Sequence, residues 1–297
     1  MTASAAFEKV PSALRALVPA RFRGDIPIVP VVRLSGAIGI SSPLKPGLTL
    51  ANVARSLERA FATRNARAVA LSINSPGGAA AQSHLIHRRI RALAEEKKIP
   101  VIAFVEDVAA SGGYMIACAA DEIIADESSI VGSIGVVGGS FGFNKLIEKI
   151  GVERRLYTSG ENKAMLDPFL PEKPEDVERI KAIQREIHQG FIALVKSRRG
   201  AALTGPEEML FSGEYWTGQK SLELGIADRI GDLRSTLRER FGEKLVTPLV
   251  SADRSFFGRR IPGVGGTYLG QLWGGTGFAD EMLSSIEARA LWARYGL

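Results

Sequence analysis

Between residues 26 and 126 the chain alternates short β-type apolar runs with amphipathic helical stretches. That alternation limits the fold more than any other feature. The runs IPIVPVVRLSGAI (26–38), ARAVALSIN (66–74), KIPVIAFVE (98–106) and DEIIAD (121–126) are predicted strands, and ERRLYTSG (153–160) is predicted as another. Helical patterns separate them at 50–64, 79–97, 111–120 and 140–150. Strands spaced by helices need crossover connections, which gives βαβ units and a mostly parallel, buried sheet. A longer helix is predicted over 174–198, where Val177, Ile180, Ile183, Ile187, Phe191 and Leu194 form one apolar stripe. Shorter helices are expected at 217–225 and 231–241, and there is no internal repeat.

Two segments flank this α/β body. Residues 1–25 include FEKVPSALRALVPARFR (7–23), an amphipathic stretch suited to packing on the body, on a partner subunit or on a membrane surface. Residues 26–245 form the body. Residues 246–297 hold a Gly- and aromatic-rich arm, FFGRRIPGVGGTYLGQLWGGTGF, and a terminal helix predicted over 279–294. Such an arm is expected to pack on another subunit or across the site face.

Composition narrows the function classes. The 297 residues carry a net charge of +6, but the Lys and Arg are scattered, so nucleic acid is not an expected partner. The single cysteine, Cys118, excludes an intrachain disulfide and reads as an inert core thiol. No run of 18 apolar residues and no signal-peptide core is present, so the expected location is cytoplasmic or peripheral to a membrane. His84, His87 and His188 lie in helical patterns away from any Gly-rich turn, and are read as solvated. No metal or other cofactor is implied.

Four segments could carry chemistry. NSPGG (74–78) joins a strand to a helix, where glycines let the backbone approach a ligand. ASGGY places Ser111 at the start of the next helix, where a nucleophile's own N–H can face an oxyanion. Taken alone, the first is also an ordinary turn and the second a helix cap or a packing site. TSGENKAMLDPF offers Lys163, which becomes a general base only where burial keeps it neutral. GEYWTGQKSLELGIAD (213–228) reads as a structural closing unit. With no well-placed histidine, a Ser-His-Asp triad is disfavoured and a Ser-Lys pair rises.

The motifs SINSPGG, VAASGGYMIA, VGSIGVVGG, YTSGENKAMLDPF and GEYWTGQKSLELGIAD follow one another in the order seen in signal peptide peptidase A-type serine peptidases of family S49, and the resemblance spans about residues 27–245. It implies a Clp protease/crotonase-like fold of stacked β-β-α units, a homo-oligomer, and peptide substrates such as cleaved signal peptides. Carried over by motif, Ser111 resembles the nucleophile and Lys163 the general base. Ser133 resembles the serine that hydrogen-bonds the lysine, and Gly78 and Gly112 the backbone donors to the oxyanion. Family members usually carry an N-terminal membrane anchor, for which this sequence shows no candidate. Met115 stands where an aromatic commonly follows the GGY tyrosine. The competing readings are a crotonase-like acyl-CoA enzyme and a non-catalytic oligomeric scaffold. The expected pocket walls are small or aliphatic: Ala109, Ala110, Met115, Ile116, Ile134, Val136 and Val137.

Overall fold

A computed structural model describes residues 26–40, 47–251, 286 and 288–297. The amphipathic segment 1–25, most of the arm and the first part of the predicted terminal helix lie outside the described residues. Among those described are seven strands: β1 (Val31–Ser35), β2 (Val69–Ser75), β3 (Val101–Ala110), β4 (Glu122–Ala125), β5 (Ile130–Gly132), β6 (Tyr215–Thr217) and β7 (Arg229–Ile230). The helices are α1 (Leu50–Phe61), α2 (Ala80–Lys97), α3 (Gly112–Ala117), α4 (Asn144–Lys149), α5 (Pro174–Arg199), α6 (Glu207–Leu210), α7 (Gly218–Glu223) and α8 (Leu233–Phe241). A last helical stretch covers 288–293.

The sheet order is β1-β2-β3-β4-β7, all parallel. This is the βαβ architecture that the alternating runs predict. β2 lies between β1 and β3 and every residue of it is buried, as a strand covered on both faces requires. Side chains on β3 alternate between faces. Val101, Ala103, Val105 and Ala109 join the core beneath α1, α2 and α3, and Ile102 and Phe104 join a second cluster closed by Leu237 of α8. The helix sequences match these positions. Thr49 caps α1 by accepting from the Asn52 N–H, and Val53, Leu57, Ala60 and Phe61 put a buried stripe on the sheet.

β3 has two partners in succession. Its first half pairs with β4 and its second half, Val108–Ala110, with β5, so the sheet forks at Glu106–Asp107. Ser129 stitches the fork by donating its hydroxyl to the Glu106 carbonyl. β6 then runs antiparallel to β5. The far face of this forked end is covered by Tyr295 and Trp292, packed on Val108, Ala110 and Ile130. Three expectations need correction here. The predicted strand at 153–160 is an exposed loop, because no neighbouring strand offers it a ladder. The long-helix stripe is buried only towards its C-terminal end: Phe191 and Val195 are covered, while Ile183 and Ile187 are 46% and 38% exposed. His87 is not solvated but 8% exposed, inside α2's packed face.

That burial has a measurable consequence. Loss of hydration, reinforced by the nearby charges of Arg198, His84 and Arg91, lowers the His87 pKa to about 4. The unfolded chain therefore takes up a proton near pH 6.5 that the native protein refuses until pH 4. The stability from a neutral His87 is full above pH 6.5 and is lost as pH falls towards 4, by up to about 3 kcal/mol. Denaturant unfolding at pH 7 and pH 5 should show this slope, and His87→Gln should flatten it. Equal slopes in both proteins would remove the role given to His87. Cys118, fully buried with its thiol pushed up to about 12, is the inert core thiol the sequence suggests.

Candidate active site at the end of the central strands

β2 and β3 end side by side, and the two glycine-rich turns that follow them meet. Ser111 leaves β3 and caps α3 with φ +52° and ψ −122°, a conformation that costs a non-glycine residue about 1–3 kcal/mol. Such a strand-to-helix turn thrusts the side chain out of the sheet, the backbone arrangement a nucleophile elbow uses. The bend is held by the Ser111 N–H donating to the Gly132 carbonyl at 2.8 Å. A Cβ on Gly77 would lie 2.8 Å from the Ser111 Cβ, and one on Gly78 would collide with the Ile38 carbonyl oxygen. Only glycine lets these two turns approach so closely.

The local ladder leaves specific donors free. Around Gly78, the Ile38 N–H donates to the Gly77 carbonyl and the Ala79 N–H donates to the Ile38 carbonyl. The Gly78 N–H belongs to neither bond, and neither it nor the Gly112 N–H donates to another group among the described residues. Both glycines line a cavity of about 490 Å³ that also contains Ser111. Its other walls are largely apolar: Ile40, Pro76, Met115, Val136, Val137 and Phe191, with Ala79 and Ala80 at the start of α2. Of the wall residues expected from sequence, only Met115, Val136 and Val137 line it. Ala109, Ala110, Ile116 and Ile134 are wholly buried in the core. The residues that sequence proximity misses come from distant segments, including Ile187 on α5, Leu291 on the last helix and Arg294 in the turn after it.

Ser133 stands beside Ser111. β3 and β5 pair up to Ala110 with Gly132, and Ser111 and Ser133 are the residues that follow those two strand ends. Ser133 also has positive φ, +54°, and is 7% exposed. Its hydroxyl accepts a hydrogen bond from the Tyr295 hydroxyl at 3.3 Å.

Lys163 is not brought to this cluster. It lies in the 136–173 extension, in a turn closed by its own N–H donating to the Gly160 carbonyl. The turn is tied to α5 by Arg179, which donates to Asn162 Oδ1 at 2.6 Å. The extension is further ordered by an Arg154–Asp167 ion pair and by the rings of Phe141, Phe143 and Phe169 in sequence. The Lys163 side chain is exposed, does not line the Ser111 cavity and makes no hydrogen bond to Ser111. No helix among the described residues is long and apolar enough to cross a membrane.

Comparison with known proteins adds the family. A protein of Brucella abortus (strain 2308) named Na(+)/H(+) antiporter NhaA is 55% identical over 293 residues, covering 97% of this chain and 39% of that protein. Serine protease SPPA, chloroplastic, of Arabidopsis thaliana is 34% identical over 210 residues, covering 69% of this chain and 31% of its own length. Protease 4 of Haemophilus influenzae is 34% identical over 199 residues, covering 65% and 31%. The chain thus spans about two-fifths or less of the length of these relatives. Among solved structures, a mutant of the 1510-N membrane-bound stomatin-specific protease is similar with a TM-score of 0.43 and 19% identity, over 77% of this chain and 95% of that one. The model for the NfeD1b N-terminal domain matches residues 37–145. The model for peptidase family S49 matches residues 93–245, just over half of the chain and inclusive of Ser111, Ser133 and Lys163. The chain therefore belongs to peptidase family S49, a family of serine peptidases, and has the mixed α/β fold with a parallel sheet described above.

Proposed function

We propose that the chain is a serine endopeptidase that cuts extended peptides through an acyl-enzyme, with Ser111 as nucleophile and Lys163 as general base. The observation that carries this reading is the Ser111 elbow, facing a cavity that also holds the two free N–H groups of Gly78 and Gly112. In the first step the Ser111 Oγ forms a bond to the scissile carbonyl carbon while its proton passes to the neutral lysine amine. The oxyanion that develops is met by the Gly78 and Gly112 N–H groups, each typically worth about 3–4 kcal/mol. The start of α2 adds the positive end of an 18-residue helix at the same wall. Collapse of the intermediate breaks the C–N bond, and the lysine returns the proton to the leaving amine. Water then attacks the ester with the same base and releases the acid and Ser111.

Because Lys163 is exposed and absent from its own Ser111 cavity, we assign the base to a second copy of the chain. The extension that carries it supports this assignment, since several of its apolar side chains are uncovered by the described residues. Phe141 and Tyr157 are 80% and 91% exposed. Ile183 on α5 is also 46% exposed, and such exposed apolar side chains suit a homo-oligomeric contact. Docking a second copy there would also shield the amine from water, the condition under which a lysine is neutral enough to act. An acyl-CoA enzyme needs the paired N–H groups but no serine held in a strained elbow, and a scaffold needs neither.

Substrate preference follows from the walls. An apolar cavity gains about 1.5–3 kcal/mol on taking a Val- or Leu-sized side chain, whereas burying an unpaired charge costs several. We place the natural substrates among cleaved signal peptides and other membrane-derived peptides. The 55% identity to a stretch of a protein named Na(+)/H(+) antiporter NhaA supports work near a membrane. Cut sites in a mixed peptide library, mapped by mass spectrometry, should fall after small or medium apolar residues such as Ala and Leu. Dominant cleavage after Lys or Arg would overturn the pocket reading, and no cleavage of any peptide would overturn the function.

A further inference from the structure

Among the described residues the hydroxyl of Tyr295 is the one side-chain group that holds Ser133, and Ser133 follows the end of β5 as Ser111 follows the end of its partner β3. Tyr295 is only 8% exposed. Its ring is fixed by an edge-on contact with Tyr215, centroids 5.0 Å apart at 71°, and by the cluster of Val108, Ala110 and Trp292. Tyr215 in turn donates its hydroxyl to the Arg294 carbonyl at 3.0 Å, pinning the backbone next to Tyr295. So much ring packing and a second tyrosine hold one phenol against one buried serine.

The direction of the bond gives it meaning. The two hydroxyls lie 3.3 Å apart, and the phenol, the more acidic of the two, is the natural donor to the Ser133 Oγ. A serine hydroxyl has one proton and two lone pairs, so accepting from Tyr295 leaves Ser133 its own proton and one lone pair for a further partner. Among the described residues no other side chain takes either. The open valences lie at the ends of β3 and β5, where an amine serving Ser111 must also sit.

We propose that Tyr295 is a positioning residue of the peptidase: it sets the rotation of the Ser133 hydroxyl, and Ser133 so held orients the Lys163 amine of a second copy against Ser111. This inference rests on the serine peptidase reading above. The turn that follows the last helix then serves as part of the site as well as a cover for the sheet.

Tyr295→Phe is the test, because it keeps the ring and removes only the hydroxyl. With the full chain and a fluorogenic peptide, kcat should fall roughly tenfold while KM stays within about twofold, the loss expected for one orienting hydrogen bond. Ser133→Ala should lower kcat at least as far, and the double variant should be no slower than Ser133→Ala alone, because Tyr295 acts only through Ser133. An unchanged kcat in Tyr295→Phe, or losses that multiply in the double variant, would overturn the inference. Should Tyr295→Phe not fold, Ser133→Ala decides, since it leaves the ring cluster whole, and an unchanged kcat there overturns the inference equally. Ser111→Ala run in parallel separates the two claims. If it is inactive while Tyr295→Phe is normal, only the role of Tyr295 falls; if it is active, the peptidase reading falls and takes this inference with it.

Discussion

Ser111→Ala should lower kcat/KM for an unfolded peptide by at least about four orders of magnitude, with the fold intact. The size follows from what the hydroxyl does. Without Oγ there is no acyl-enzyme, and among the described residues no other hydroxyl, thiol or amine side chain lines the cavity. What survives is the oxyanion site and substrate binding, which accelerate attack by water only modestly. The fold should tolerate the change because the Ser111 side chain caps nothing: α3 has no side-chain cap bond, and the Ser111 N–H to Gly132 bond is made by the backbone. The thermal midpoint and oligomer mass of the variant should match the parent. Retention of more than a few per cent of activity would show that the nucleophile lies elsewhere.

Lys163→Ala should be nearly as damaging, and its defect should be curable by the other inactive variant. A lysine from a second copy means that each site combines Ser111 of one chain with Lys163 of another. Oligomers assembled from equal amounts of Ser111→Ala and Lys163→Ala chains then contain intact pairs. Random mixing leaves both members intact in about a quarter of the sites, so activity should return to roughly that fraction of the parent. If the lysine instead served the serine of its own chain, no chain in the mixture would hold both groups, and activity would stay at the level of the single variants. The exposed positions of Phe141, Tyr157 and Lys163 on one extension motivate the first outcome.

The two kinds of information in the chain were unequally legible. The runs at 66–74 and 98–106 are strands because long stretches of β-branched and apolar residues can be buried only in a central parallel sheet, and the structure has them as β2 and β3. The turns at Gly78 and Ser111 were legible because positive φ and close backbone approach are local demands that favour glycine and small residues. β5, β6 and β7 were not, since each has two to three residues and owes its form to the neighbour it pairs with. The run at 153–160 has strand composition, but Leu156 and Tyr157 lie exposed with nothing to pair against. The stripe of α5 reads as a core face, yet Ile183 faces outward, because periodicity tells which residues share a face and not what covers it. The neighbours Ser133 and Tyr295, 162 positions apart, leave no local trace at all.

The most direct measurement is labelling of the full chain with a serine-directed fluorophosphonate, followed by mass-spectrometric location of the adduct. Fluoride leaves as the serine oxygen bonds to phosphorus, so only a serine whose proton is drawn off by a neighbouring base reacts at an appreciable rate. The account predicts one adduct, on Ser111, with loss of peptidase activity in proportion to labelling and no adduct in Ser111→Ala. An adduct on another serine that tracks the loss of activity, or an active enzyme that takes no label, would contradict it.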